Sequence, residues 1–277
     1  MNLERYYTPP EIAARLISLV EPSAYASIIE PSAGDGAILK ALKSCGTALP
    51  PVYAYDLAPA AEGIQTMNWL EPRDAYGNPR KNVYMPMREK AQRWHHSLVI
   101  GNPPFSLAEK FIRESLFADT IAFILPKSFM KSGHAERIIG AHHHVQTIEE
   151  VPETARYRLP DGLKTYVPTC ICIFEWQATA RQETHTTECE NFSFVKDPSM
   201  ATFAIIRVGG KAGTVLTLAE SATYSRETLQ YVNGDSTAFY ECQGEMQHIA
   251  AISTGAKIIN QREIREIIAR SESTASI

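Results

Sequence analysis

Residues Ile28 to Leu42 read IIEPSAGDGAILKAL, and this stretch decides the fold. An apolar run ends in an acid, passes through small residues, and opens into a helical apolar pattern over Ala37–Ser44. That order predicts the first strand–turn–helix of a doubly wound α/β sheet, where ligands bind beyond the carboxyl ends of the strands. Gly34 and Gly36 allow a backbone approach that a Cβ would prevent. Glu30 at the strand's end is unsuited to a pyrophosphate and suits a cation such as the amino group of a methionine moiety. The same turn also serves as an ordinary strand-to-helix connection. Asp56 lies 22 residues after Gly34, at the end of the next apolar run, VYAYD. A carboxylate there can accept both ribose hydroxyls of an adenosine, or simply cap a helix. Turn and acid together predict an adenosine-type cofactor.

Outward from this point, short apolar runs alternate with helical stretches, the pattern of a mostly parallel sheet covered by helices. Strands are expected at Ser27–Pro31, Val52–Leu57, Ser97–Gly101, Thr120–Pro126, Val145–Val151 and Thr169–Trp176. Helices are expected over Glu11–Val20, with Pro10 in its first turn, and over Ala37–Ser44, Leu107–Phe117 and Gly133–Ala141. The polar, aperiodic Ala178–Asn191 reads as a linker. It separates a domain of residues 1–180 from a small C-terminal α+β domain, 185–277, assigned to substrate recognition. There, Phe203–Leu218 reads as two strands around a Gly-rich turn, and Gln261–Arg270 as a terminal helix.

The 277 residues are 44% hydrophobic and 21% charged, enough for a core that needs no disulfide or metal staple. The five cysteines (Cys45, Cys170, Cys172, Cys189 and Cys242) have no CxxC spacing, so reduced thiols and a cytoplasmic location are expected. Cys170 and Cys172 should share one buried strand face. No apolar run is long enough for a membrane helix, and no membrane partner is expected. The net charge of −4 counts mildly against tight, non-specific duplex binding.

The chemistry is named by Asn102-Pro103-Pro104-Phe105, directly after SLVIG. Two prolines cannot continue a sheet ladder and force a stiff extended turn. Such a turn presents the Asn102 side chain and the Pro103 carbonyl at the strand's carboxyl edge. An exocyclic amine has two N–H donors and a lone pair delocalised into its ring. Two oxygen acceptors can bind those hydrogens, favour a pyramidal nitrogen and free the lone pair for in-line attack on a sulfonium methyl. Phe105 can stack on the ring, worth about 1–3 kcal/mol per base. No general base is needed, and positioning and electrostatics would carry the rate.

EPSAGDGA, then YD, then GNPPF resembles the ordered motifs of class I adenine-N6 methyltransferases. YYTPPEIAARLI resembles their cofactor motif placed N-terminally, as in the gamma subgroup of DNA adenine methyltransferases; the likeness covers roughly residues 5 to 176. It implies a Rossmann-like seven-stranded sheet, S-adenosyl-L-methionine as cofactor, and methyl transfer to adenine N6 in DNA after base flipping. By the same resemblance Tyr7 and Thr8 meet the cofactor's methionine end. Glu30, Ser32, Gly34, Gly36 and Asn102 line its cavity, and Asp56 and Leu57 hold the ribose. Asn68 and Trp69 stand near the adenine, although Asn68 replaces the family's usual acid and Ser32 a usual glycine. The loop Ala155–Pro168 would supply a second aromatic wall for the flipped base, with Tyr157 the choice and Tyr166 the runner-up. Arg156, Arg158, Lys164, Lys127 and Lys131 could face phosphates, or solvent. The RVGGKAG segment is similar to tails on phage and bacterial methyltransferases. A hairpin turn explains it too, and a nucleic-acid contact near Arg207 and Lys211 is the alternative.

No metal is expected. Consecutive His142, His143 and His144 point in different directions and lack a partner at ligand spacing, and His95-His96 is no better. Three rivals to the DNA reading stay open. They are an RNA adenine-N6 or guanine-N2 enzyme, a protein-glutamine enzyme, and a cofactor-binding subunit of a larger complex. The short C-terminal segment leaves room for a partner subunit or a homodimer. Placement in a bacterial or phage restriction-modification setting, near the nucleoid, follows from the resemblance alone.

Overall fold

A computed structural model describes residues 4–71, 96–131, 133–181, 191–252 and 256–275. Glu71–Met87 (beyond Glu71 itself), His95, Cys189 and most of the expected linker lie outside the described residues. The chain divides into two compact units, Met1–Arg181 and Gln182–Ile277.

The first unit is built on strands β1 (Ser27–Glu30), β2 (Val52–Asp56), β3 (Gln65–Thr66), β4 (Ser97–Gly101), β5 (Thr120–Pro126), β6 (His143–Glu150) and β9 (Thr169–Trp176). They form one seven-stranded sheet in the order β3-β2-β1-β4-β5-β9-β6. The pairs from β3 to β5 are parallel, while β9 runs antiparallel to both β5 and β6. The fold is therefore the expected doubly wound, mostly parallel sheet. Strand order reverses beside β1 and β4, so their carboxyl ends flank the crevice where such sheets bind ligands.

Alternation along the strands supplies two cores. On one face Ile28, Leu98, Ile100, Ile124 and Ile171 meet Ile12, Leu16 and Ile17 of helix α1 (Pro10–Ser18) and Ile38 and Leu42 of α2 (Ala37–Ser44). On the other, Ile29, Val99, Ile121 and Phe123 pack on Phe111 and Ile112 of α3 (Ala108–Ser115). Cys170, Cys172 and Phe174 join that second core, so the two cysteines do share a buried face. Period-2 patterning buried on both sides is the mark of a central strand.

The helix expected at Gly133–Ala141 is not formed; the segment is a series of turns. The Ala135 carbonyl accepts from both Ile138 N and Ile139 N, which closes one turn only. Arg181 Nη2 then takes the Glu136 and Gly140 carbonyls, at 2.7 and 2.5 Å, in place of helical N–H donors. Gly133 and Gly140, with φ of +68° and +69°, bracket the stretch in a conformation that ends helices. A β-hairpin, β7 (Tyr157–Arg158) and β8 (Lys164–Thr165), lies between β6 and β9.

The second unit holds a four-stranded antiparallel sheet of β10 (Phe192–Val195), β13 (Leu229–Gly234), β11 (Phe203–Ile206) and β12 (Val215–Thr217), in that order. The hairpin around the Gly-rich turn is β11–β12. Phe192, Phe203, Ile205 and Val232 of the sheet pack with Phe239, Met246, Ile264 and Ile268. Those four come from helices α5 (Thr237–Glu241), α6 (Gln243–Ala251) and α7 (Gln261–Ala275), which follow the short α4 (Leu218–Ser221). Among the described residues no helix is long and apolar enough to cross a membrane.

Candidate functional site

The turn after β1 is fixed by Asp56. Its Oδ2 accepts from Gly34 N and its Oδ1 from Ala58 N, both at 2.8 Å. The acid at the end of β2 therefore holds the glycine turn. A carboxylate offers about four lone-pair sites, so further hydroxyl donors can still be accepted. Gly34 has φ +51°, a conformation that favours glycine, and a Cβ there would stand a tight 3.3 Å from the Tyr7 ring. Gly36, at φ +75°, opens α2.

Tyr7 belongs to an N-terminal segment held at the carboxyl end of β4. Its N–H donates to the Arg158 carbonyl at 2.9 Å, and Arg158 N returns a bond to the Tyr7 carbonyl at 3.2 Å. The Arg158 guanidinium lies 4.6 Å from the Tyr7 ring centroid and pairs with Asp35 at 2.5 Å. One residue away, Asn102 Nδ2 donates to the Tyr6 carbonyl at 2.9 Å and to Thr8 Oγ1 at 3.1 Å. Both amide hydrogens of Asn102 are thus committed. Its Oδ1 is buried and has no hydrogen-bond partner. The turn that presents it is the extended diproline predicted, with Pro104 at φ −52°, ψ 126°.

Two small cavities meet here. One, of about 60 Å³, is lined by Glu4–Tyr7, Ser32, Gly34, Asp56, Ala58 and Asn102–Phe105. The other, of about 20 Å³, takes in Thr8, Glu30, Ser32 and Asn102. Tyr6, Tyr7, Ser32, Gly34 and Asn102 border both. Three polar atoms in this region are buried without a partner: Glu30 Oε2, Ser32 Oγ and Asn102 Oδ1. Glu30 is 1% exposed. Burial first, then the negative charges of Asp56 and Asp35, push its carboxyl up to about 8, so at neutral pH it is held mostly protonated. A cation brought beside Glu30 would reverse that balance.

The structure thus gathers Tyr7, Thr8, Glu30, Ser32, Gly34, Asp56 and Asn102 to Phe105 into one region. It does not gather the rest. Trp69 is 5% exposed and packs against Tyr55 and Phe117 at centroid distances of 6.2 and 6.3 Å, inside the core beneath the sheet. Asn68 Oδ1 accepts from Leu70 N, a local turn. Leu57 is 45% exposed. None of these three lines either cavity.

Tyr157 is a correction. It is fully buried, its hydroxyl shares a hydrogen bond with Thr169 Oγ1 at 2.8 Å, and it meets Phe105 edge-on at 6.1 Å and 89°. Burial pushes its hydroxyl's pKa well above the usual value. A ring presented edge-on from the core buttresses Phe105 and offers no face to a base. Tyr166 is half-buried, with Arg156 5.9 Å above its ring. Lys127 is also corrected: its ammonium pairs with Glu150 and its side chain is only 18% exposed, so it is not a free phosphate contact. Arg156 donates to the Glu153 and Ala155 carbonyls and Arg158 pairs with Asp35, though both are exposed; Lys131 is half-buried, and Lys164 is exposed on the β7–β8 hairpin. The three consecutive imidazoles go separate ways, to the carbonyls of Gln177, Ala118 and Thr179.

The residue missed in the sequence is Tyr6. Its ring stacks on Phe105 at 5.4 Å and 16°. Its sequence signal is the doubled tyrosine before Thr8.

No protein family's sequence pattern matches the chain, and no curated protein is detectably similar to it. Solved structures share parts of its fold. One is described as the modification subunit of a type I restriction enzyme from Vibrio vulnificus YJ016, at 14% identity and TM-score 0.43 over 62% of this chain. The chain spans 44% of that subunit's length. Another is the 23S rRNA methyltransferase ErmE, at 12% identity and TM-score 0.42 over 66% of this chain and 74% of its own. A third is described as an RNA methyltransferase from Pyrococcus horikoshii, at 16% identity and TM-score 0.38 over 63% of this chain and 87% of its own. At such identities and scores the functional reading rests on the site's own geometry.

Proposed function

We propose that the chain is an S-adenosyl-L-methionine-dependent methyltransferase acting on the N6 amino group of adenine in DNA. One observation carries the reading. Asn102 has both amide hydrogens tied to the N-terminal segment, so its buried, unpartnered Oδ1 is oriented as an acceptor at the edge of the cavity. A neutral buried acceptor without a donor costs free energy on the order of 1–3 kcal/mol, a cost that a ligand amine would relieve. With the Pro103 carbonyl it would take both amine hydrogens, while Phe105 supports the ring.

The residues around β1 fit the cofactor. Glu30, Ser32 and the Gly34 turn offer an acid for an ammonium group, an unpartnered hydroxyl and a close backbone, and Asp56 has lone pairs left for a ribose. S-adenosyl-L-methionine, when bound, supplies an electrophilic sulfonium methyl. The chain's own work is to orient the amine, exclude water and keep the lone pair available. No side chain is needed as a base before transfer. The preference for DNA is supported by the N-terminal Tyr-Thr-Pro-Pro pattern described above. The small second unit is assigned to substrate recognition, supported by exposed Arg207, Lys211 and Lys257 on two loops joined by the Gly209 N to Lys257 O bond of 2.9 Å.

The test is transfer of labelled methyl from S-adenosyl-L-methionine to duplex DNA, single-stranded DNA and RNA in parallel, followed by nucleoside analysis. N6-methyladenine in DNA is expected. Asn102→Ala should lower transfer by at least about a hundredfold, the scale of losing an oriented acceptor, while calorimetry still detects cofactor binding. Label in RNA alone would replace the substrate. Full activity of Asn102→Ala would end the reading.

A further inference from the structure

Whatever planar ring sits on Phe105 needs a second face, and Tyr157 cannot supply it. We propose that Tyr6 is that second wall, and that the amine-bearing ring of the substrate inserts between Tyr6 and Phe105. The inference rests on the reading of Asn102–Phe105 as the amine-binding turn and adds to it the residue that closes the slot.

Three observations place Tyr6 there. First, its ring is the one lying nearly parallel to Phe105, at 5.4 Å and 16°. Second, the backbone that carries it is tied to the amine-binding residue itself, because Asn102 Nδ2 donates to the Tyr6 carbonyl. Third, a further tether lies on the other side of the turn. Glu4 Oε2 accepts from Ser106 N at 3.0 Å and from Ser106 Oγ at 2.6 Å. The segment Glu4–Thr8 thus crosses the diproline corner with an attachment on each side of Tyr6. Tyr157 meets Tyr6 edge-on, at 6.4 Å and 80°, as it meets Phe105. Two parallel rings with a third standing edge-on behind them make a slot with two walls and a back.

The slot is closed in this structure. A planar ring stacked on both sides needs wall centroids about 7 Å apart, two contacts of about 3.5 Å each. The observed 5.4 Å is less. Tyr6 therefore covers the face of Phe105 that the substrate would use, and opening the slot means moving it outward. The Glu4–Ser106 bonds are exposed to solvent, so water can replace them as the segment shifts.

The test uses the full chain and a fluorescently labelled mixed-sequence single-stranded DNA, compared with the same DNA in which every adenine is an abasic site. Binding is read by anisotropy with S-adenosyl-L-methionine present. Tyr6→Ala and Tyr6→Leu should weaken binding of the adenine-containing DNA by roughly ten- to a hundredfold, the scale of one base–aromatic stack. Binding of the abasic DNA should stay at wild-type strength. Tyr6→Phe and Tyr6→Trp should restore the preference for adenine, which a role in packing volume alone would not predict, since Leu also fills space. Equal loss on both DNAs, or no loss in Tyr6→Leu, overturns the assignment. Phe105→Ala separates the two levels of inference. If it abolishes the adenine preference while Tyr6→Leu does not, Tyr6 alone is refuted; if wild type shows no preference, the amine-binding reading falls and Tyr6 with it.

Discussion

Replacing Glu30 with glutamine should stabilise the protein at alkaline pH and do nothing at acid pH. Glu30 ends β1 with its side chain buried, Oε2 unpartnered, and two acids, Asp56 and Asp35, acting on it. Its carboxyl is pushed up to about 8 from the ordinary 4.5. Between those values the folded protein keeps a proton that the unfolded chain gives up. The folded state binds more protons, so stability must fall as pH rises through that window and level off above it. At about 1.4 kcal/mol per pH unit the whole window is worth about 5 kcal/mol, with no discount for solvent because the group is buried. Glutamine mimics the neutral acid in shape and cannot ionise. Urea unfolding of wild type and Glu30→Gln, run in parallel from pH 4.5 to 9, isolates Glu30 together with its coupling to Asp35 and Asp56, since titrations elsewhere cancel in the difference. The two curves should coincide near pH 4.5 and diverge in favour of the variant to several kcal/mol by pH 8. A difference that stays flat across the range would refute the account, and so would a wild type that gains on the variant as pH rises, because that would mean an ionised carboxylate with a stabilising partner.

Two further substitutions test how the site is held. Thr8→Val removes one of the two acceptors of Asn102 Nδ2 while keeping the side chain's shape; methyl transfer should slow by roughly fivefold, the scale of one neutral hydrogen bond, and an unchanged kcat would show that the Tyr6 carbonyl orients the amide by itself. Tyr157→Phe should cost about 1 kcal/mol of stability through the lost Thr169 bond and leave transfer nearly intact, whereas Tyr157→Ala should cost about 3–5 kcal/mol; loss of turnover in a folded Phe variant would give the hydroxyl a chemical role.

What could be read from the sequence was what is encoded locally. The β1 turn announces itself through an acid and two glycines, and the Asn102 corner through two prolines that no sheet ladder admits, so both lie where their neighbours put them. Apolar runs located β1, β4, β5 and β9 because burial on both faces leaves an uninterrupted signal. What failed depended on partners distant in the chain. Tyr157 looks like a loop tyrosine until the β7–β8 hairpin tucks it against Phe105. Lys127 looks free until Glu150 arrives across the sheet. The turns at 133–141 carry helical spacing, yet Arg181, more than 40 residues on, takes the carbonyls a helix would need. Trp69 stands where the resemblance puts a residue near the adenine, yet it packs in the core against Tyr55 and Phe117, neither of which is near it in sequence.

The N-terminal segment explains why one short stretch serves two cavities. In extended chain, side chains alternate in direction. Tyr6 and Thr8 go to Phe105 and Asn102, and Tyr7, between them, goes to Gly34. Successive Cα atoms are about 3.8 Å apart, so a backbone shift at Tyr7 is felt by the contacts of Tyr6 and Thr8, whereas rotation of the Tyr7 ring about its own χ angles is not. The two cavities, of about 60 and 20 Å³, fall far below the roughly 300 Å³ at which small-molecule sites begin. A nucleoside-sized ligand at Glu30 and Asp56 needs more room than these two cavities give, and Tyr7 also borders a third cavity of about 1130 Å³ that reaches Thr8, Asp35 and Arg158.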